Sequence, residues 1–213
     1  MSTESQSEES SVVVVPRRDI ETPGSVKEGI VASLQSINAI EAEIVELVRS
    51  TVSNSLGATR SVASEVVKVA RDVMKEAIQA TEEVGTGLVL STRSVAKGLI
   101  MGIADVGGDL ITAAKEVAKA AVNGASEVGG DVATVAKRAV DGVVDATRET
   151  GGNVLEVTKA AAVGAIEAAG SIGNTAVRAV RETLTSAVGG VKDVASAALP
   201  NPAPKAKSRP TSA

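Results

Sequence analysis

The sequence contains no phenylalanine, tyrosine, tryptophan, cysteine or histidine among its 213 residues. Without aromatic side chains, any core must be built almost entirely from valine, alanine, isoleucine and leucine, each of which buries less area than an aromatic ring. The absence of cysteine excludes disulfide bonds and thiolate metal sites. With histidine and tyrosine also absent, the commonest acid–base, nucleophilic and metal-binding groups are missing. We therefore expect a protein that is not an enzyme and that uses no metal and no cofactor.

Long uncharged apolar runs are absent as well. The most apolar window, 86–106, is interrupted by Arg93, Lys97 and Asp105, whereas a membrane-spanning helix needs about 20 predominantly apolar residues in a row. The apolar run 12–15 is too short for a signal peptide. The formal net charge of −4 is spread along the chain, which argues against a nucleic-acid-binding surface. These features predict a cytoplasmic protein with no membrane span and no nucleic-acid partner.

What the chain does contain is a repeat. Seven blocks of 22 residues follow one another without a gap from Ile40 to Asp193, and a fixed period of this kind sets the architecture of a protein. The tenth position of every block is basic. We call these seven residues the basic column: Arg49, Arg71, Arg93, Lys115, Lys137, Lys159 and Arg181.

The spacing of hydrophobic residues within each block predicts helix rather than strand. Apolar or small residues recur at steps of four, three and four, as in the fifth block at Val128, Val132, Val135, Ala139, Val143 and Ala146. This is an 11-residue pattern, and 11 residues in three turns is about 3.7 per turn, close to the period of the α-helix. Valine favours strands, but alternation with a period of two is nowhere sustained. We therefore expect an all-α protein.

Glycine pairs recur every 22 residues and allow two interpretations. The pairs, which we call the helix joints, are Gly107 and Gly108, Gly129 and Gly130, and Gly151 and Gly152. Each glycine costs about 1 kcal/mol relative to alanine inside a helix, so each block could be a separate helix turned back at the joint. However, the 11-residue phase passes through every pair unbroken. We therefore prefer a long, nearly continuous amphipathic helix, with a few long helices as the alternative.

Composition divides the chain into three parts. Residues 1–24 are polar and predict a disordered N-terminal arm. A capping box at Ser25–Glu28 predicts the start of an amphipathic helical region that extends over 25–199 and contains the repeats of 40–193. Residues 200–213 contain three prolines and three basic residues and predict a disordered basic tail.

On a helical wheel, the apolar and small positions form one broad arc with charged margins. The basic column lies just outside one edge of the arc, where its aliphatic stems can cover apolar surface while the charges reach outward. The opposite edge leans acidic, with Glu43, Glu65, Asp109, Asp131 and Asn153. Such a helix can lie on an interface with its basic margin in the polar layer, or neighbouring helices can pair a basic margin with an acidic one. Simple solvation of the margins is the alternative for each single residue.

A short heptad seam precedes and overlaps the first block. Isoleucines recur at intervals of seven with further apolar residues between them, and the seam comprises Ile30, Leu34, Ile37, Ile44 and Val48. This spacing is typical of coiled coils and predicts an oligomerisation point between copies of the chain. An ordinary amphipathic first helix explains the same residues.

Tandem amphipathic repeats of this kind resemble known families. The stretch Val128–Lys137 is similar in composition to the synucleins, and the 11- and 22-residue pattern resembles those of exchangeable apolipoproteins and perilipins. Bacterial phasins, which coat polyester granules, are similar in helical character and in their basic tails. Desiccation proteins of the late-embryogenesis-abundant type also use 11-residue helical repeats. The resemblance covers 40–193 as a pattern, and it implies an amphipathic helix that coats a lipid or polymer surface.

We therefore expect a non-enzymatic protein that lies peripherally on a membrane leaflet, a lipid droplet or a polymer granule, and that forms homo-oligomers. Affinity would come from apolar area together with the basic margin, and it would accumulate with the number of repeats. A self-assembling structural protein, either a bundle or a filament, is the main alternative. A desiccation protectant is the third.

Overall fold

The computed structural model describes residues 23–58, 62–84 and 88–187, and the side chains within 35–58, 65–80 and 91–185. The regular secondary structure in this part is entirely helical, which confirms the all-α prediction. The helices are α1 (Pro23–Gly57), α2 (Val62–Val84), α3 (Leu88–Asp105), α4 (Leu110–Glu127), α5 (Val132–Thr150), α6 (Val154–Ile172) and α7 (Asn174–Ala187). The first helix begins two residues before the predicted capping box. The rest of the predicted arm, 1–22, and the predicted tail, 200–213, lie outside the described residues.

The chain stops being helical at every described joint. Gly107, Gly129 and Gly151 have φ angles of 69°, 71° and 75°, a left-handed conformation in which glycine carries no steric penalty. The next amide donates back across the helix end, as from Gly108 N to the carbonyl oxygen of Ile103 at 2.9 Å, in the manner of a Schellman motif. The preferred interpretation of a nearly continuous helix is therefore not met in the described residues. Each glycine pair is a helix terminator.

New helices start immediately after the joints because each joint is followed by an N-cap. Asp109, Asp131 and Asn153 have extended backbones, and their side chains accept from amides of the first helical turn. We expected these three residues on an acidic helix margin, but they lie at helix starts instead. A glycine pair followed directly by a capping residue is a complete stop-and-start signal. That signal outweighs the uninterrupted hydrophobic phase.

The cap of α5 leads to a prediction about acid stability. The hydroxyl and the amide of Thr134 donate to Asp131, and these bonds hold the pKa of that carboxyl below its usual value. A lowered folded-state pKa means that this contribution to stability is complete above the unfolded pKa of about 4 and is lost as the pH falls through the folded pKa. We expect Asp131→Asn to keep the cap but to reduce the decrease in melting temperature that occurs as the pH is lowered. Asp131→Ala should lose about 1 kcal/mol of unfolding free energy at neutral pH.

Thermal denaturation followed by far-ultraviolet circular dichroism between about pH 2 and pH 7, the range in which carboxyl groups titrate, checks this prediction. Asn153 shows that asparagine caps a helix at the equivalent position in this chain. An Asp131→Asn protein with the same acid dependence as the wild type would contradict the assignment.

The helices pack mainly with the helix two places along the chain. The contacts divide the chain into two units, Met1–Asn38 and Ala39–Ala213, and the described part of the first is the beginning of α1. In the second unit α2, α4 and α6 form one layer, while α3, α5 and α7 form the other. The later part of α1 packs on α3. The chain alternates between the layers, so helices two apart are neighbours and run parallel.

Small side chains build the core of this second unit. The buried apolar residues of the described part are mostly alanine and valine, with a few larger ones such as Leu56, Met74 and Leu99. Equivalent positions of α4, α5 and α6 are buried alike: Ala113, Val135 and Val157 are all at most 2% exposed. The small-residue stripe that we expected to lie on an external surface is therefore covered by other helices of the same chain.

Candidate functional site

The basic column lies at the contacts between helices two apart. Glycines of the later helix sit directly on carbonyl groups of the basic column: Gly102 on Arg49, Gly142 on Arg93, and Gly164 on Lys115. A Cβ atom added to Gly102 would lie 2.7 Å from the carbonyl oxygen of Arg49, closer than real Cβ contacts allow. The close approach of the backbones therefore requires glycine at these positions.

The side chains of the same three basic residues reach one turn further along the later helix. Arg49 donates to Asp105 through Nε at 2.6 Å and Nη2 at 2.9 Å. Arg93 donates to Asp145 through Nε at 3.0 Å, and Lys115 Nζ lies 2.9 Å from Glu167 Oε1. In each case the acid follows the glycine by three residues. We call this arrangement of basic residue, glycine and acid a clamp.

Three clamps occur in the described residues, and they join α1 to α3, α3 to α5 and α4 to α6. Hydrogen bonding to Asp105 raises the pKa of Arg49, and the same bond lowers the pKa of Asp105. The bond to Glu167 likewise raises the pKa of Lys115. The paired side chains remain about a quarter to nearly half exposed, so solvent screens them and each pair contributes modestly to stability. Their main effect is to set the register of one helix on another.

The other members of the basic column do not form clamps. Arg71 lies 3.8 Å from Glu116, and Lys137 pairs with Asp141 on its own helix at 2.7 Å. Lys159 is half-buried and has no ion pair among the described residues. The Nε atom of Arg181 is buried without a hydrogen-bond partner there. The basic column therefore forms clamps at three of its seven members, on α1, α3 and α4.

Sequence reasoning identified the basic column but not its partners. The partner acids, Asp105, Asp145 and Glu167, were not on the acidic margin that the helical wheel indicated. Their signal in the sequence is the spacing Gly-x-x-Asp or Gly-x-x-Glu, which recurs at Gly102, Gly142 and Gly164. This spacing becomes meaningful only when the glycine is known to face a basic residue of an earlier helix.

The heptad seam is divided between exposed and covered positions. Val48 is buried at 8% exposure and contacts the Gly98 position of α3, while Ile44 packs against the core. Ile37 is 39% exposed. The side chains of Ile30 and Leu34 lie outside the described ones. Val48 and Ile44 are therefore occupied by packing within the chain, and the oligomerisation role of the seam stays a prediction.

A groove of about 330 Å³ lies beside α5 and is lined by both charged and apolar side chains. Arg93, Asp145, Lys137 and Asp141 line it, and all four already form ion pairs with one another. Its floor includes Val140 and other aliphatic groups. Arg148 also lines the groove and lies 3.8 Å from Asp145.

The described part of the chain holds no cluster of three or more acidic, histidine or cysteine side chains suited to a metal ion. Among the described helices, none combines the length and the apolar character needed to cross a bilayer. In comparisons with known proteins, no family model and no curated protein matches the chain.

Proposed function

We propose that the protein is a non-enzymatic coat of a surface. In the folded form, which we call the folded array, its binding face is buried between the stacked helices. The face becomes exposed when these helices separate, a change that we call opening. The surface is a membrane leaflet, a lipid droplet or a polymer granule, and the protein binds it peripherally from the cytoplasm. In the bound form the helices α3–α6 join at their joints into one long amphipathic helix. The small-residue stripe then contacts the surface, and the basic column lies along one margin.

One observation carries this proposal: the buried positions keep a single register across every described joint. Val117, Ala139 and Ala161 are 22 residues apart and each is 0% exposed. Because 22 residues span six turns of an 11-residue pattern, straightening the joints would place these residues in line on one face. Helices stacked in register in the folded form keep the same phase, so this one sequence pattern is compatible with both the folded and the extended form.

The composition of the core favours opening. Alanine and valine bury little area each, and burial contributes roughly 25 cal/mol per Å², so an individual helix is held weakly. Each joint is short and departs from helical geometry at the left-handed glycine and at the extended N-cap residue two positions later. The clamps break without leaving a buried charge, because their side chains are already partly solvated. Arg93 and Lys115 would then be free to face anionic groups at a surface.

Crosslinks between helices test whether opening is required. The chain has no native cysteine, so cysteines introduced at the ion pairs Lys97–Glu149 and Lys115–Glu167 can be joined by a short bis-maleimide. The first pair locks α3 to α5 and the second locks α4 to α6. We expect each lock to reduce co-flotation with anionic vesicles, triacylglycerol droplets or polyester granules, and both together to abolish it. The wild type should gain helicity on the same surfaces.

The same cysteine variants capped with a monofunctional maleimide are the matched control. They carry the same substitutions, including the loss of Lys115, but leave the helices free to separate, so they should bind more tightly than the crosslinked forms. Equal binding by the locked and the control proteins would exclude opening. Failure of the unmodified protein to bind any of the three surfaces would exclude the coat function itself.

A further inference from the structure

The ion pairs between the described helices all have the same polarity along the sequence. In the described residues, six such pairs occur, and in each the cation belongs to the earlier helix and the anion to the helix two places later. Lys75 of α2 with Glu127 of α4, at 3.1 Å, is one example beyond the clamps. Helices α1–α4 therefore present cations to the helix two places later, and helices α3–α6 present anions to the helix two places earlier. A stack with this polarity has two different ends.

The first end is formed by the later part of α1 and by α2, and no earlier helix among the described residues covers their backward side. Leu47 is 67% exposed and Ile40 is 56% exposed, although the positions equivalent to Leu47 in α4, α5 and α6 are buried. Glu43, Asp72 and Glu76 are exposed on the same side and form no ion pair among the described residues. The first end is therefore apolar in part and acidic.

The second end is formed by α6 and α7, and it carries the cations Lys159, Arg178 and Arg181 together with the exposed acids Glu156 and Glu182. Lys159 and Arg181 occupy the position that forms clamps in α1, α3 and α4, but no later helix is described that would supply their acids. Arg178 is exposed one turn before Arg181. Ile166 is only partly buried, whereas Val122, the equivalent residue of α4, is covered by α6 and fully buried. This end therefore combines unpaired cations with an incompletely covered apolar residue.

From this complementarity we infer that the acidic first end of one copy docks on the second end of another. The contact would continue the polarity already present between α1 and α3 or between α4 and α6. Leu47 and Ile40 would cover the apolar part of the partner's second end, while Glu43, Asp72 and Glu76 would face its basic residues. Because the two surfaces differ, the interface is heterologous and each docked copy leaves a free end for the next. The result is an open, head-to-tail assembly of the folded form.

Sedimentation velocity of the full chain, over a range of protein and salt concentrations and without any lipid, tests this interface. The wild type should associate in a concentration-dependent way, and less at high salt because screening weakens exposed charge pairs. Reversing the first end with Glu43→Lys and Glu76→Lys, or the second end with Lys159→Glu and Arg181→Glu, should raise the association midpoint by at least roughly tenfold, equivalent to about 1.4 kcal/mol. Mixing the two variants should restore association, because each then meets a complementary end.

Lys119→Glu with Arg138→Glu changes the net charge as much as the second-end variant but lies on the central helices α4 and α5. This control should associate like the wild type, and circular dichroism of every variant establishes that it is folded. A wild type that is monomeric throughout, as it would be if residues 188–213 cover the second end, overturns the inference. So does association that survives reversal of either end, or that mixing does not restore. None of these outcomes depends on surface binding, so the coat function is judged separately.

Discussion

Replacing the three left-handed glycines Gly107, Gly129 and Gly151 with alanine is expected to convert the folded array into longer helices. An L-residue in the left-handed conformation costs about 1–2 kcal/mol, and alanine in place of glycine stabilises a helix interior by about 1 kcal/mol. Both effects act in the same direction at each joint. Over three joints the equilibrium should move by about 6–9 kcal/mol towards the continuous form, if the sites contribute independently.

This substitution isolates the backbone effect because an added Cβ meets no heavy atom within 4 Å at any of the three glycines. We expect an increased maximum dimension in small-angle X-ray scattering and tighter binding to anionic vesicles. Asparagine at the same three positions is the matched control, since it tolerates the left-handed conformation and should preserve the array. If the alanine protein has the dimensions of the wild type, the joints do not control opening. If it elongates but binds vesicles no better, the coat function is in doubt.

Replacing Gly142 with alanine is expected to lower the free energy of unfolding by about 3 kcal/mol, the upper part of the usual range for overpacking. The new Cβ would overlap the carbonyl oxygen of Arg93 and lie 3.0 Å from the Cβ of Ala96. Neither group can rotate away, because one is backbone and the other is a side chain with no rotamers. Helix α5 must therefore move away from α3, which also lengthens the contact between Arg93 and Asp145. Gly164→Ala should act in the same way on α4 and α6, where it meets the carbonyl of Lys115.

Chemical denaturation followed by far-ultraviolet circular dichroism measures this loss, since the chain has no tryptophan or tyrosine to report by fluorescence. The control is Gly170→Ala on the exposed side of α6, where no heavy atom lies within 4 Å. That change should stabilise the protein, by at most about 1 kcal/mol, through helix propensity alone. Similar effects of Gly142→Ala and Gly170→Ala would mean that the clamp does not hold α5 on α3.

Much of the fold could be read from local pattern. The 11-residue phase identified helix, and the structure confirms it for the described residues. The constant phase also indicated which positions form the apolar face, as the burial of Ala113, Val135 and Val157 bears out. These predictions succeeded because helical periodicity and amphipathicity depend on neighbours within about two turns of the chain.

The candidate site was harder to predict from the sequence. The seven members of the basic column are evident at a spacing of 22. The partners of the four members that pair with another helix lie 45 to 56 residues away in sequence, as for Arg71 with Glu116 and Arg49 with Asp105. A helical wheel shows where a charge lies on its own helix, but it does not show which residues of a neighbouring helix the charge contacts. For the same reason it could not separate Ile44 and Val48, which pack within the chain, from Leu47, which is exposed.

By itself, therefore, the sequence determined that this protein is helical, that its apolar face keeps one register over successive blocks, and that a basic residue recurs beside that face. Only the tertiary structure decided that the blocks turn back at Gly107, Gly129 and Gly151, and that the face is covered by helices two places away. The physical reason is that a 22-residue period completes a whole number of turns. It is equally compatible with one long helix and with parallel helices stacked in register, so the choice depends on contacts between residues far apart in the chain.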